Sequence, residues 1–267
     1  MITSLHSPHV EAVKALLGSR GVKARRETQT YVIESLSNIQ EVFYYAPSLV
    51  KTLYLTEAGR EKLGSIPLGK TEVFDVTPEV MAAMTDTVTP QGMLAVAQIP
   101  QNSVDGFFSG NRSKVRVAYF WEIQDPGNAG TVIRAGDAFG FDAVIFSSNS
   151  VDVYSPKVVR ASAGSLWHVP IFEGISIEEI KKFASQTGAS IYATDADADL
   201  ELSNGANEAS HGNSIWVFGN EARGLPAEVC ESLGAKRVAI PISGKAESLN
   251  LATAASVVMY AVTAARK

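Results

Sequence analysis

Two hydrophobic periods alternate along this chain. Apolar residues spaced three and four apart predict helices over residues 10–17, 39–45, 57–63 and 78–84, the last with Thr77 as its cap. Between them lie short apolar or alternating runs that read as strands, over residues 31–34, 50–55, 72–76 and 93–97. These elements describe a small α/β domain over residues 1–97. Residues 98–113 are rich in Gly, Asn and Ser and read as a linker. Beyond it, residues 114–267 form a second domain. A strand over 115–121, a turn-rich loop over 125–130, a helix over 132–139 and a strand over 143–146 make a strand–helix–strand unit. Such a unit implies a parallel sheet. Residues 190–194, 214–218 and 237–240 add three more strands.

Composition narrows the class. Apolar residues make up 46% of the chain and charged residues 19%, as in a globular protein with an ample core. The length, 267 residues, suits one large domain or two modest ones. Cys230 stands alone, which excludes a disulfide within the chain and any Cys-based metal cluster. Of His6, His9, His168 and His211, only the first two are close, and no third ligand is near them, so no metal site is expected. The first residues lack the charged and apolar regions of a signal peptide, which points to the cytoplasm. Residues 249–265 carry no charge, but Asn250, Thr253, Ser256, Thr263 and six Ala suit a buried or interface helix better than a membrane span.

Net charge is −5, which argues against a protein that lives on phosphate contacts throughout. Yet Lys14, Arg20, Lys23, Arg25 and Arg26 form a run with no acid between them. It reads either as a solvated loop or as a local patch for RNA.

Two nucleotide signatures fail in context. The glycines after the first strand of the second domain, Gly127, Gly130, Gly136 and Gly140, have the wrong spacing for a dinucleotide fingerprint, and the next strand ends in Ser147 and Ser148 rather than an acid. Residues 64–71 spell a phosphate loop, but they follow a helix and open a strand, the reverse of what that loop requires. Three other loops carry more. They are Asn128-Ala-Gly-Thr-Val-Ile-Arg134, Phe218-Gly-Asn-Glu-Ala-Arg-Gly224, and the stretch from Ile240 to Asn250 that contains Ser248. The last two directly follow strands, and the first lies just beyond one. In α/β sheets ligands sit at the carboxyl ends of strands.

In order and spacing these three loops resemble the motifs of the SpoU (TrmH-like) branch of the SPOUT RNA methyltransferases. The first domain is similar to the family's small RNA-binding domain through residues 31–34 and 91–96, with Ser35 where the family usually has Gly. The resemblance implies a C-terminal parallel-sheet domain with a deep trefoil knot, S-adenosylmethionine as methyl donor, and methylation of an RNA ribose 2′-hydroxyl. Ribosomal RNA is the implied target. Transfer RNA and an RNA-binding module without methylation are the alternatives. It further implies a homodimer through the C-terminal domain; the make-up of residues 249–265 points to no membrane partner. The implied catalytic set is Arg134, Asn128, Ser248, Asn250 and Glu221, with Arg134 stabilising charge and Glu221 orienting loops. The implied donor site is Phe218, Gly219, Asn220, Gly224, Ile240, Ile242, Ser248 and Leu249. Lys14, Arg20, Lys23, Arg25 and Arg26 would contact RNA.

Overall fold

The computed structural model describes residues 1–109 and 114–265. The chain divides into two compact units: Met1–Gln101 with Asp152–His168, and Asn102–Val151 with Val169–Lys267.

The first unit is built on four strands: β1 (Thr30–Glu34), β2 (Val50–Leu55), β3 (Glu72–Asp75) and β4 (Met93–Gln98). Their order is β1-β4-β2-β3, with β4 antiparallel to both neighbours and β3 parallel to β2. Alternation along each strand gives the sheet two apolar faces. Val32, Tyr54 and Leu94 meet Val10 and Val13 of helix Pro8–Ala15 and Val80 and Met81 of helix Pro78–Ala83. The intervening Tyr31, Ile33 and Leu53 are buried as well. Ser7, Ser35, Thr56 and Thr77 each accept a backbone N–H in the first turn of the helix that follows, so every expected helix here starts at a side-chain cap. Residues 64–71 are the turn between helix Glu57–Leu63 and β3, which is the context expected of them.

The unit also takes in a segment from far along the chain. Helix Pro156–Ser162 packs on β1. Trp167 Nε1 donates to the Tyr31 hydroxyl at 2.9 Å, and Asn38 Nδ2 donates to the Val159 carbonyl at 3.3 Å. Two buried charges find their partners in the same segment. Glu34 pairs with Arg160. Arg25, only 1% exposed, donates from Nε to Asp152 Oδ2 at 2.7 Å and from its terminal nitrogens to the Leu16 and Gly18 carbonyls. This corrects the assignment of Arg25 to an RNA-contacting patch. Its guanidinium is spent inside the unit, because a buried charge is tolerable only when it is paired and hydrogen-bonded. Lys14, Arg20, Lys23 and Arg26 remain exposed.

The second unit has seven parallel strands: β5 (Arg116–Phe120), β6 (Ala143–Phe146), β7 (Ile171–Phe172), β8 (Ser190–Thr194), β9 (Leu200–Glu201), β10 (Ser214–Phe218) and β11 (Lys236–Ala239). Their order is β7-β6-β5-β10-β8-β11-β9. The two-residue strands β7 and β9 at the edges are too short to leave an apolar run in the sequence. Central strands buried on both faces read as continuous apolar runs, as Ile215–Phe218 does.

Two expectations are revised here. The helix expected from residue 132 begins at Pro126 and runs to Ala138. Asp125 caps it, accepting the Asn128 N–H at 2.8 Å, and Pro126 occupies the first turn, where its missing N–H costs nothing. Asp-Pro-Gly-Asn, which resembles a turn, is therefore a helix start, and Asn128 sits in the first turn. The expected linker holds helix Val104–Ser109, whose Phe108 stacks on Phe183 at 4.4 Å between ring centroids. Those residues belong to the second unit, and residues 110–113 lie outside the described residues.

Asp152→Ala should strand the Arg25 guanidinium. The expected loss is about 3 kcal/mol in urea unfolding monitored by circular dichroism. A loss below about 0.5 kcal/mol, the level of an ordinary surface substitution, would show that Arg25 does not depend on this pair.

Candidate active site

A cavity of about 330 Å³ opens at the carboxyl ends of β8, β10 and β11. That volume lies in the range of small-molecule sites. After β10, Gly219 lies so close to the returning loop that a Cβ there would sit 2.2 Å from the Gly224 carbonyl carbon. Asn220 and Gly224 exchange backbone hydrogen bonds of 2.9 Å each way, and Gly224 takes a φ of 65°. The Asn220 side chain locks the loop from inside. Its Oδ1 accepts the Ala222 and Arg223 N–H groups at 3.0 and 3.2 Å, and its Nδ2 donates to the Glu122 carbonyl at 2.7 Å.

After β8 come Thr194 and Asp195. Arg237 Nε on β11 donates to Asp195 Oδ2 at 2.6 Å, and the Asp197 N–H reaches Oδ1 at 2.9 Å. The Arg237 hydrogen bond, helped by that N–H, holds the Asp195 carboxyl below the ordinary aspartate range. Val238, Ile240 and Ile242 form an apolar wall. Glu247, Ser248 and Leu249 close the cavity just ahead of helix Leu251–Ala264.

A second cavity, of about 420 Å³, adjoins the first. Gln124, Asp125, Asn128 and Asn250 line it, and Asn220, Glu221, Ser248 and Leu249 line both cavities. The loop after β10 and the segment ahead of the last helix thus form a wall common to the two cavities.

The three motifs meet in one line of hydrogen bonds. Glu221 accepts the backbone N–H groups of Gln124 and Asp125 at 3.2 and 3.1 Å, and Asn128 Nδ2 at 3.2 Å. Asn128 Oδ1 accepts Asn250 Nδ2 at 3.1 Å. Asn250 Oδ1 accepts the Ala252 and Thr253 N–H groups at 2.9 and 3.3 Å and so caps the last helix. The direction of the line is forced. An ionised carboxylate only accepts, so Asn128 must turn its NH₂ to Glu221 and its oxygen to Asn250. Asn250 must then offer its NH₂ to Asn128 and its oxygen to the helix N-terminus.

The structure therefore brings Asn128, Glu221, Ser248 and Asn250 together, along with Gly219, Asn220, Gly224, Ile240, Ile242 and Leu249. Two expected residues stand apart. Phe218 is fully buried and stacks on Phe120 at 4.9 Å, so it supports the first cavity without lining it. Being the last residue of a strand covered on both faces, its side chain has nowhere else to go. Arg134 projects from the exposed side of helix Pro126–Ala138, lines neither cavity, and makes no hydrogen bond or ion pair among the described residues. Capping of the last helix falls to Asn250, which leaves the Ser248 hydroxyl at the cavities. Thr194, Asp195 and Val238 are lining residues that the sequence reading did not single out. The signal for the first two was available, since they end and follow the strand over 190–194.

Residues 116–260 match the SpoU rRNA Methylase family, and residues 8–95 match the MRM3-like substrate binding domain. The chain is 29% identical over 241 residues to the Bacillus subtilis 23S rRNA guanosine 2′-O-methyltransferase RlmP, which covers 89% of this chain and 90% of that one. It is 28% identical over 262 residues to a 23S rRNA uridine 2′-O-methyltransferase of Streptomyces viridochromogenes, with 92% and 86% covered. Among solved structures, the SpoU methyltransferase AviRb from Streptomyces viridochromogenes in complex with AdoMet is similar with a TM-score of 0.84 at 26% identity, covering 98% of both chains.

Asn250→Ala removes a helix cap and should cost about 1 kcal/mol in thermal or urea unfolding. Asn128→Asp should cost more at neutral pH, because it sets a second carboxylate against Glu221. A variant as stable as the native chain at neutral pH would contradict the assigned direction of the line.

Proposed function

The chain belongs to the SpoU rRNA methylase family, and we propose that it methylates the ribose 2′-hydroxyl of a ribosomal RNA with S-adenosylmethionine as donor. The observation that carries this reading is the pair of adjoining cavities that share the loop after β10, with the line from Glu221 through Asn128 to Asn250 along them. The relatives named as 23S rRNA 2′-O-methyltransferases and the AdoMet-bound neighbour support it.

The residues of the first cavity fit that donor. Val238, Ile240, Ile242 and Leu249 offer an apolar wall to a purine, and the backbone around Gly219 can approach it closely. Asp195, Glu221 and Glu247 face the same space and favour a cationic ligand. When bound, the donor supplies a methyl group on a positively charged sulfur, open to in-line displacement. The chain's own task is to aim a hydroxyl at that methyl and to let its proton leave. Ser248, Asn250 and Asn128, at the shared wall and the second cavity, position the ribose. Arg134 stabilises the developing alkoxide and holds the adjacent phosphate. Its guanidinium stays protonated in proteins and cannot serve as the base, so the proton passes to phosphate or water.

Arg134 reaches such a ribose if two chains pair. The outer face of helix Leu251–Ala264 presents Thr253, Val257 and Tyr260 with no charge, and we place the dimer seam there, with each copy's Arg134 serving the other's cavity. We likewise propose that residues 240–264 thread the family's trefoil knot. Lys14, Arg20, Lys23 and Arg26 are the cations we assign to the RNA backbone. No helix among the described residues is long and apolar enough to cross a membrane, and the cytoplasm is the proposed location.

Transfer of labelled methyl groups to total RNA tests the activity, and mapping the modified nucleotide names the target. Arg134→Ala should abolish transfer while calorimetric donor affinity stays within about twofold. Native-like turnover in that variant would overturn the assigned role. Asp195→Asn should weaken donor binding about tenfold, as expected when a charged hydrogen-bond partner is lost. An unchanged affinity would remove Asp195 from the donor site.

A further inference from the structure

Helix Leu36–Tyr45 ends in two adjacent exposed aromatic residues. Tyr44 is 80% exposed and Tyr45 54%, with ring centroids 4.8 Å apart. Tyr45 packs in turn on His168, 4.2 Å between ring centroids. His168 Nε2 lies 3.1 Å from Glu41 Oε2, which fixes the imidazole beneath Tyr45. Beside the rings is a groove of about 650 Å³, lined by Gln40, Glu41, Tyr44 and Tyr45 on one side and by Ile66 and Pro67 on the other. Ile66 and Pro67 come from the stretch 64–71 that imitates a phosphate loop, near whose end stands the exposed Lys70.

We propose that this groove is a stacking site for unpaired bases of RNA. The proposal rests on the reading of this chain as an RNA methyltransferase. Residues 8–95, which carry both tyrosines and the opposing loop, match a substrate binding domain. The first unit holds eleven Lys and Arg against eleven Asp and Glu, so bulk charge supplies little grip on a polyanion. Stacking on aromatic faces is the other main source of affinity for single-stranded nucleic acid, and it does not depend on net charge. The two tyrosines supply such faces at low entropic cost, Ile66 and Pro67 supply an apolar opposite wall, and the Gln40 amide stands at the edge where a base presents its hydrogen-bonding groups. A duplex keeps its bases stacked on one another and cannot use the groove, so the site selects single-stranded or looped segments.

The test is binding of a fluorescein-labelled twelve-nucleotide oligouridylate to the full chain, followed by anisotropy, beside a labelled duplex of equal length. Tyr44→Ala with Tyr45→Ala should weaken single-strand binding about tenfold or more, the loss expected for one stacked base. Duplex binding and S-adenosylmethionine binding should be unchanged. Tyr44→Phe with Tyr45→Phe keeps the ring faces and should bind the single strand within about twofold of the native chain. Equal single-strand affinity in the native and alanine chains overturns the proposal, as it would if the groove received a protein. Equal losses for single strand and duplex, or no binding of the oligonucleotide by the native chain, also overturn it. Failure of the methyltransferase reading looks different, because the native chain would then bind the oligonucleotide through the tyrosines yet transfer no methyl group to any RNA.

Discussion

One line of three side chains holds the site together, and its direction follows from hydrogen-bond chemistry alone. Glu221 accepts from Asn128, Asn128 accepts from Asn250, and Asn250 accepts from the N-terminus of the last helix. Each amide uses both its ends, so neither can be replaced by the isosteric acid without setting oxygen against oxygen. Glu221 also gathers the two backbone N–H groups just ahead of helix Pro126–Ala138. One carboxylate and two amides thereby tie the loop after β10 to the starts of two helices. Segments nearly a hundred residues apart become a single wall.

The position of that wall suits the proposed chemistry. Glu221 lines both a cavity with apolar and acidic walls at the ends of β8, β10 and β11 and a more polar cavity that Asn128 and Asn250 also line. A donor on one side and an acceptor hydroxyl on the other would be held at fixed separation by shared residues. Such positioning is among the larger contributions a protein can make to a displacement reaction. The first unit meets a different constraint. Two buried charges, Arg25 and Glu34, find Asp152 and Arg160 in a segment that leaves the chain's second half to join it. The Asp152–His168 segment is therefore part of the first unit's own core.

Much of this was legible in the chain. Strands with continuous apolar runs, such as residues 143–146 and 215–218, stand out because both faces are buried. The three motif loops were found because each combines Gly with Asn, Glu or Ser at or near a strand end. What escaped detection depends on partners distant in sequence. Nothing near Arg25 announces Asp152, so a buried guanidinium looked like part of a basic patch. Asp-Pro-Gly-Asn suits a turn as well as a helix start, and only the cap from Asp125 decides between them. Asp195 looks like a plain loop acid until Arg237, on a neighbouring strand, is seen to hold it. Arg134 belongs to the motif by spacing, yet its own chain places it away from the cavities, because the helix carries it about a turn and a half beyond Asn128.

The line from Glu221 to Asn250 assembles the site as a unit. A double-mutant cycle of Asn128→Ala and Asn250→Ala, read by calorimetric affinity for S-adenosylmethionine, tests it most directly. The two substitutions should couple strongly, with the second costing little once the first is made and an interaction energy of about 1 kcal/mol or more. Strict additivity of the two losses would contradict it.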